Sequence, residues 1–259
     1  DNFAGTSEYG PLGDFIRELD WTVGEVVKTL KETGQLNNTL ILFSSDNGGL
    51  INREAMNAGH DSNDGLLGQK TDLWQGGVRV PFIARWPGHV PANTTSDVPA
   101  CLTDISATFA GLTGQTLPPG EAPDSFNLMP LLLGQGDGAD LRDRPILLNR
   151  GARTYLNGLR KGDWIYYDGQ GSGGVSAGDF YDPKPAQAVL YDECGFVNSD
   201  IGPGGEILPD APPAQLYNIA DDPAQAVNVI DDYPEKTAEM VDLLDRLRSG
   251  EIVRPGYHR

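Results

Sequence analysis

A chain of 259 residues with 39% apolar and 22% charged residues suffices for one large α/β domain with or without a smaller companion, and no stretch approaches the ~20 apolar residues of a membrane span. Against 19 basic residues stand 37 acidic ones, and the formal charge of −18 excludes the basic surface that nucleic acid or an anionic membrane needs. It leaves an anionic substrate open, since a metal or a few local cations reverse the field inside a pocket.

The chain begins DNFAGTSEYG, with no Met, signal peptide or transit segment to read, as a removed leader or a truncation would leave it. In DFIRELDWTVGEVVKTLKETG, the residues Phe15, Leu19, Val23, Val26, Val27 and Leu30 fall at helical spacing, and Gly34 supplies a stop. TLILFSSD is too short and too uniformly apolar for an amphipathic helix. It predicts a strand buried on both faces, as inside a parallel sheet, so that helix and strand form half of a crossover unit. A polar, glycine-rich loop leads to VRVPFIARWPG, a second strand closed by Pro87-Gly88. CLTDISATFAGLTG reads as a helix with Asp104 as N-cap and Gly111 or Gly114 near its end.

From about Pro118 the texture becomes loop-rich, and the later strands PILLNR, TYLNGLRKGDWIYYDG and AQLYNIADDP alternate as in a small antiparallel sheet. DGQGSGGVSAGD reads as a flexible loop. YPEKTAEMVDLLDRLRSG closes the chain as a helix, with Pro234 in its first turn and Met240, Leu243, Leu244 and Leu247 on one face. The expected division is residues 1–140 as part of a large α/β domain and 141–259 as a small subdomain. Cys101 and Cys194 have neither disulfide-framework nor zinc spacing and are expected unpaired.

The chemistry-bearing stretch is SSDNGG, at the carboxyl end of the first strand, where α/β sheets bind ligands. Asp46 offers an anionic oxygen and Asn47 a neutral one, a pair suited to Ca²⁺ or Mg²⁺ rather than zinc; Gly48 and Gly49 allow a sharp turn and leave room beside an ion. The same triplet is equally good Asx-turn chemistry, and two ligands are not a site. Lys70, in a loop that can return to this edge, either grips an anion as a point charge or is a solvated surface lysine. His60 is a substrate contact, a proton donor or a plain loop residue. His89 and His258 read as surface residues.

Taken together, YGPLGDFIRELDWTVGEVVKTLKETGQLNNTLILFSSDNGG, LLGQKTDLWQGGVRVPFIARWPG and QLYNIADDPAQAVNV, in that order, resemble the later half of the type I, formylglycine-dependent sulfatases. The resemblance implies an alkaline phosphatase-like fold: a mixed, mostly parallel sheet with flanking helices, present here in part, plus a small C-terminal antiparallel-sheet and helix subdomain. It implies Asp46 and Asn47 as ligands of Ca²⁺ (or Mg²⁺), Lys70 as the catalytic sulfate contact, and His60 as a residue lining the substrate pocket. It implies a sulfated small molecule or polysaccharide as substrate, and a periplasmic or extracellular location.

The sequence also departs from the family pattern. The nucleophile motif C/S-x-P/A-x-R, whose first residue becomes formylglycine, is absent: Cys101 precedes LTDI and Cys194 precedes GFVN. The formylglycine is therefore expected in an N-terminal half that would act as this chain's partner, the chain alone being inactive. Leu67 stands where an arginine is frequent, Gln75 where glutamate is usual, and Asn149 where relatives often carry histidine. A non-catalytic sulfatase-like binding subunit, and a phosphatase or phosphonate hydrolase of the same superfamily, are the alternatives. The latter would call for more metal-binding histidines than His60.

Overall fold

The computed structural model describes residues 2–149, 156–174 and 195–251. Cys194 and His258, and the later part of the glycine-rich DGQGSGGVSAGD, lie outside the described residues.

Helix α1 runs from Gly10 to Glu32, with Pro11 in its first turn and Gly34 beyond its end at φ +72°. The stop at Gly34 is as the sequence predicts, since a left-handed residue after the last turn suits glycine. Its apolar stripe is spaced as expected but poorly covered: Phe15 remains 70% exposed and Trp21 54%. A short 3-10 turn leads into β1 (Ile41–Ser44), which pairs with β2 (Phe82–Arg85) in antiparallel register, Ile41 opposite Arg85 and Ser44 opposite Phe82. The expectation of a doubly buried strand inside a parallel pair is corrected here. Every residue of β1 is half-buried, and its one pairing among the described residues is antiparallel. An apolar run specifies burial potential but carries no information on partner direction. The chain after β1 loops back to the same edge, and this sets the antiparallel return. Between the two strands lie the short helices α2 (Arg53–Asn57) and α3 (Gln75–Val78).

After β2 come α4 (Ile105–Leu112), α5 (Met129–Leu132) and α6 (Ala139–Arg142), packed around Val98, Leu128 and Leu141. Asp104 is not the side-chain cap of α4 that the sequence suggests. It is fully buried, accepts the Cys101 amide at 2.7 Å and the Phe126 amide at 3.0 Å, and forms a two-pronged ion pair with buried Arg144. Arg144 in turn lies 4.6 Å over the Phe126 ring.

The second sheet has four antiparallel strands in chain order, β3 (Ile146–Asn149), β4 (Asn157–Lys161), β5 (Trp164–Tyr167) and β6 (Gln215–Asn218). Gly162, at φ +56°, turns the tight β4–β5 hairpin. The last helix, α7 (Pro234–Arg248), has Pro at its start as expected. The sheet is covered on both faces, and its period of two sorts the side chains. Leu159, Tyr166 and Leu216 meet Met240 and Leu244 of α7, while Ile165, Tyr167 and Tyr217 turn the other way, onto Leu67, Leu73 and Trp74. That second contact matters for function, because these three residues belong to the loop that carries Lys70.

Candidate active site

The end of β1 and the loop after it are locked against the segment before β2 by one backbone and one side-chain hydrogen bond. The Gly48 N–H donates to Gly77 O at 2.8 Å, and the Ser44 hydroxyl to Pro81 O at 2.8 Å. The approach is so close that a Cβ on Gly48 would sit 1.8 Å from Gly76 O, and one on Gly76 2.2 Å from Gly68 O. Gly48 and Gly76 are therefore required by loop-on-loop packing, and a Cβ on Gly49 would meet the Asn63 side chain at 2.8 Å, whereas the sequence suggests that Gly48 and Gly49 clear space beside an ion.

Lys70 is brought to the same place. Its backbone N–H donates to Gly49 O at 3.0 Å, and Asn63 brackets the junction from the side. The Asn63 Oδ1 accepts from Gly49 N at 2.8 Å, and its Nδ2 donates to Gly49 O at 3.1 Å and Gly68 O at 3.0 Å. Gln69 adds a fifth tie, its Oε1 accepting the Ile51 N–H at 3.1 Å. Asn63 and Gln69 are buried organisers of the site that sequence reasoning missed. The Asp61-x-Asn63 spacing announces a turn, which forms, with Asp61 Oδ1 accepting Asn63 N at 2.9 Å; the partner 14 residues away leaves no local signature. Immediately after Lys70, Thr71 adopts φ +87°. A β-branched residue there is strained by about 1–3 kcal/mol, and such strain persists only where the surroundings over-determine it.

The four sequence-derived residues are placed as follows. Asp46 is exposed just beyond β1, and its carboxylate has no hydrogen bond or ion pair among the described residues. Asn47 is half-buried and donates its Nδ2 to Gly48 O at 2.9 Å, so its Oδ1 is left as a free acceptor. The Lys70 ammonium is exposed, likewise with no partner among the described residues. His60 lies farther along the same segment, half-buried with its ring 5.2 Å from that of Tyr9, three residues before Asn63. Backbone bonds thus join the Asp46-Asn47 loop to the Lys70 loop, while His60 is linked to them through the turn at Asp61–Asn63.

Two unengaged oxygens, one anionic and one neutral, fit a hard divalent cation. No group of three or more His, Cys, Asp or Glu side chains capable of holding a metal occurs among the described residues. The pair is thus a partial donor set. Cys101 is a free, half-buried thiol at the start of the segment leading to α4. Leu67, where an arginine was of interest, is 1% exposed and belongs to the core, and Asn149 is exposed at the end of β3. The DGQGSGG part of the glycine-rich run, expected to be a flexible loop, instead packs on the Lys70 loop. Ser172 is fully buried and its carbonyl accepts the Leu73 N–H at 2.8 Å.

Residues 3–115 match the sulfatase family model. The chain is 32% identical over 254 residues to an N-acetylgalactosamine-6-O-sulfatase of Bacteroides thetaiotaomicron, an alignment that takes in 95% of this chain and 43% of the relative. It is 39% identical over 149 residues to human N-acetylgalactosamine-6-sulfatase, covering 58% of this chain and 27% of that protein. Among solved structures, a Bacteroides thetaiotaomicron sulfatase from work on glycosaminoglycan metabolism superposes with a TM-score of 0.74 at 30% identity, over 96% of this chain and 46% of the other. The chain spans less than half the length of the relatives it matches.

Proposed function

Because the chain belongs to the sulfatase family, its family match lying in residues 3–115 and its fold being shared along nearly its whole length, we propose that it forms part of a sulfuric ester hydrolase acting on a sulfated carbohydrate. The observation that supports this reading is the backbone clasp, Lys70 N to Gly49 O and Gly48 N to Gly77 O, which joins the loop carrying Asp46 and Asn47 to the loop carrying Lys70. In the reaction the S–O bond to the sugar breaks, the ester oxygen leaves as the alcohol, and water supplies the oxygen that completes the released sulfate.

In this proposal Asp46 and Asn47 hold Ca²⁺ or Mg²⁺, which when bound withdraws charge from the sulfuryl oxygens. Lys70 places its ammonium against the same oxygens, neutralising charge that grows in the transition state. His60 lines the approach, oriented by the Tyr9 ring. The formylglycine nucleophile and the remaining metal ligands are assigned to further sulfatase sequence beyond these residues, and the natural partner of this chain is that other half. The uncovered apolar surface supports the assignment: Phe15 and Trp21 of α1, Leu50 beside the site and Ile83 of β2 are each more than half exposed. Residues 1–140 are proposed as part of the large domain and 141–259 as the small one, in an enzyme that works in the periplasm or outside the cell.

The test is sulfate release by the full-length gene product from 6-O-sulfated N-acetylgalactosamine, the sugar named for the bacterial relative. Calcium binding to wild type and Asp46→Ala is followed by calorimetry. Turnover that requires calcium and is lost in Asp46→Ala is expected, with about 10²-fold lower kcat in Lys70→Ala. Full activity of Asp46→Ala would remove the metal assignment, and an unchanged rate in Lys70→Ala would remove Lys70 from the site.

A further inference from the structure

We infer that Gln225, from the segment after β6, is a positioning residue for Lys70, acting across the interface between the small sheet and the site loop. This inference rests on the sulfatase reading of Lys70 given above. Gln225 is fully buried and holds φ +55°, a left-handed conformation that a long side chain rarely adopts. Its amide spans two elements. The Oε1 accepts the Gln75 N–H at 2.9 Å, at the start of α3, and the Nε2 donates to the Tyr167 hydroxyl of β5 at 3.0 Å. Its own carbonyl accepts from Asn198 Nδ2 at 2.8 Å, so the residue is fixed from both ends.

The neighbouring loop residue is held in the same way. Trp74 Nε1 donates to Gln215 Oε1 at 3.0 Å, and Gln215 is itself fixed by the Tyr217 hydroxyl at 2.9 Å and by the carbonyls of Gly169 and Gly171. Two consecutive residues of the Lys70 loop, Trp74 and Gln75, are thus each gripped by a buried glutamine more than 140 positions away. Between this grip and the Gly49 clasp lies the strained Thr71. Loosening the Trp74–Gln75 side of the loop, with the Leu73–Ser172 and Gly48–Gly77 backbone bonds left there, would relax that residue and let Lys70 drift. A misplacement of about 1 Å at a group that stabilises a transition state costs about 10²-fold in rate. Burial pushes the Tyr167 hydroxyl above its ordinary value of 10, so it stays neutral, and neither glutamine titrates; the grip is therefore insensitive to pH across the working range.

The experiment is a double-mutant cycle in the full-length gene product, with para-nitrophenyl sulfate as the probe. Gln225→Met keeps length and apolar volume but can neither accept from Gln75 nor donate to Tyr167. Gln225→Glu keeps the acceptor and lets the Tyr167 hydroxyl donate instead. Expected is a tenfold or greater fall in kcat for Gln225→Met with KM within about threefold, and recovery in Gln225→Glu. Lys70→Ala/Gln225→Met should be no slower than Lys70→Ala alone, because a positioning residue has nothing left to position. Faster amide exchange at residues 66–77 in Gln225→Met reports the loosened loop without any turnover. If Gln225→Met does not fold, Trp74→Phe, which removes the indole donor to Gln215 together with part of a buried ring, tests the anchoring of the loop from its other grip. Multiplying losses in the double variant, or unchanged exchange at residues 66–77, would overturn the inference and leave the sulfatase reading standing. Full activity of Lys70→Ala would remove both.

Discussion

Replacing Gly48 by alanine tests whether the site is built by backbone contact. The added Cβ would lie 1.8 Å from Gly76 O, whereas ordinary contact begins near 3.4 Å, so the two loops must part by roughly 1.5 Å. Parting by that much breaks the Gly48–Gly77 bond, now 2.8 Å, and strains the Lys70–Gly49 bond of 3.0 Å. Two backbone hydrogen bonds at about 1 kcal/mol each, with about 1–3 kcal/mol of overpacking, give a loss of about 3–5 kcal/mol. In a protein of this size that corresponds to a fall in Tm of roughly 10 °C. The assay is thermal and urea unfolding beside a matched control, Gly24→Ala. Gly24 lies exposed within α1 with nothing within 4 Å of an added Cβ, so the identical substitution should there stabilise by about 0.5–1 kcal/mol. Opposite signs for one chemical change are the expected result. A Gly48→Ala protein within about 0.5 kcal/mol of wild type, still binding calcium, would refute the packing argument.

Asp104→Ala should cost about 3–5 kcal/mol by stranding the buried Arg144 guanidinium, read as a lowered urea midpoint; a loss below about 1 kcal/mol would mean that the pair does not hold this region. Hydrogen bonds from Lys161 and then Lys236 hold the Glu239 carboxyl below its ordinary value of 4.5. Because that value is depressed on folding, its stabilisation is present above pH 4.5 and fades as the pH falls through the lowered value. The Tm difference between wild type and Glu239→Gln should accordingly shrink toward zero between neutral and strongly acidic pH. A difference that stays constant would show that the α7–β4 ion pair does not contribute.

The sequence alone determined what is local or periodic. The 3.6-residue spacing and the terminal glycine of α1, the proline at the start of α7 and the alternation of β3 to β6 are all written in short windows, and each formed. The ordered set of segments around Asp46, Asn47 and Lys70 was enough for the family, because its motifs are contiguous in the chain. Tertiary structure decided what depends on distant partners. β1 pairs antiparallel because of where the chain returns, and apolar residues do not encode direction. Asp104 faces Arg144 rather than capping α4, since its two oxygens are taken up by a buried guanidinium 40 positions away and by the Cys101 and Phe126 amides. Gly48, readable in sequence as room for an ion, is also where the Gly76 backbone approaches too closely for a side chain. Gln69 and Gln225 lie inside the segments that carry the family resemblance and Asn63 ends an Asp-x-Asn turn, yet none of these patterns tells which distant backbone group each amide meets. Their amides find these partners only when folding brings backbone N–H groups to 2.8–3.1 Å, and burial then makes leaving those groups unsatisfied costly.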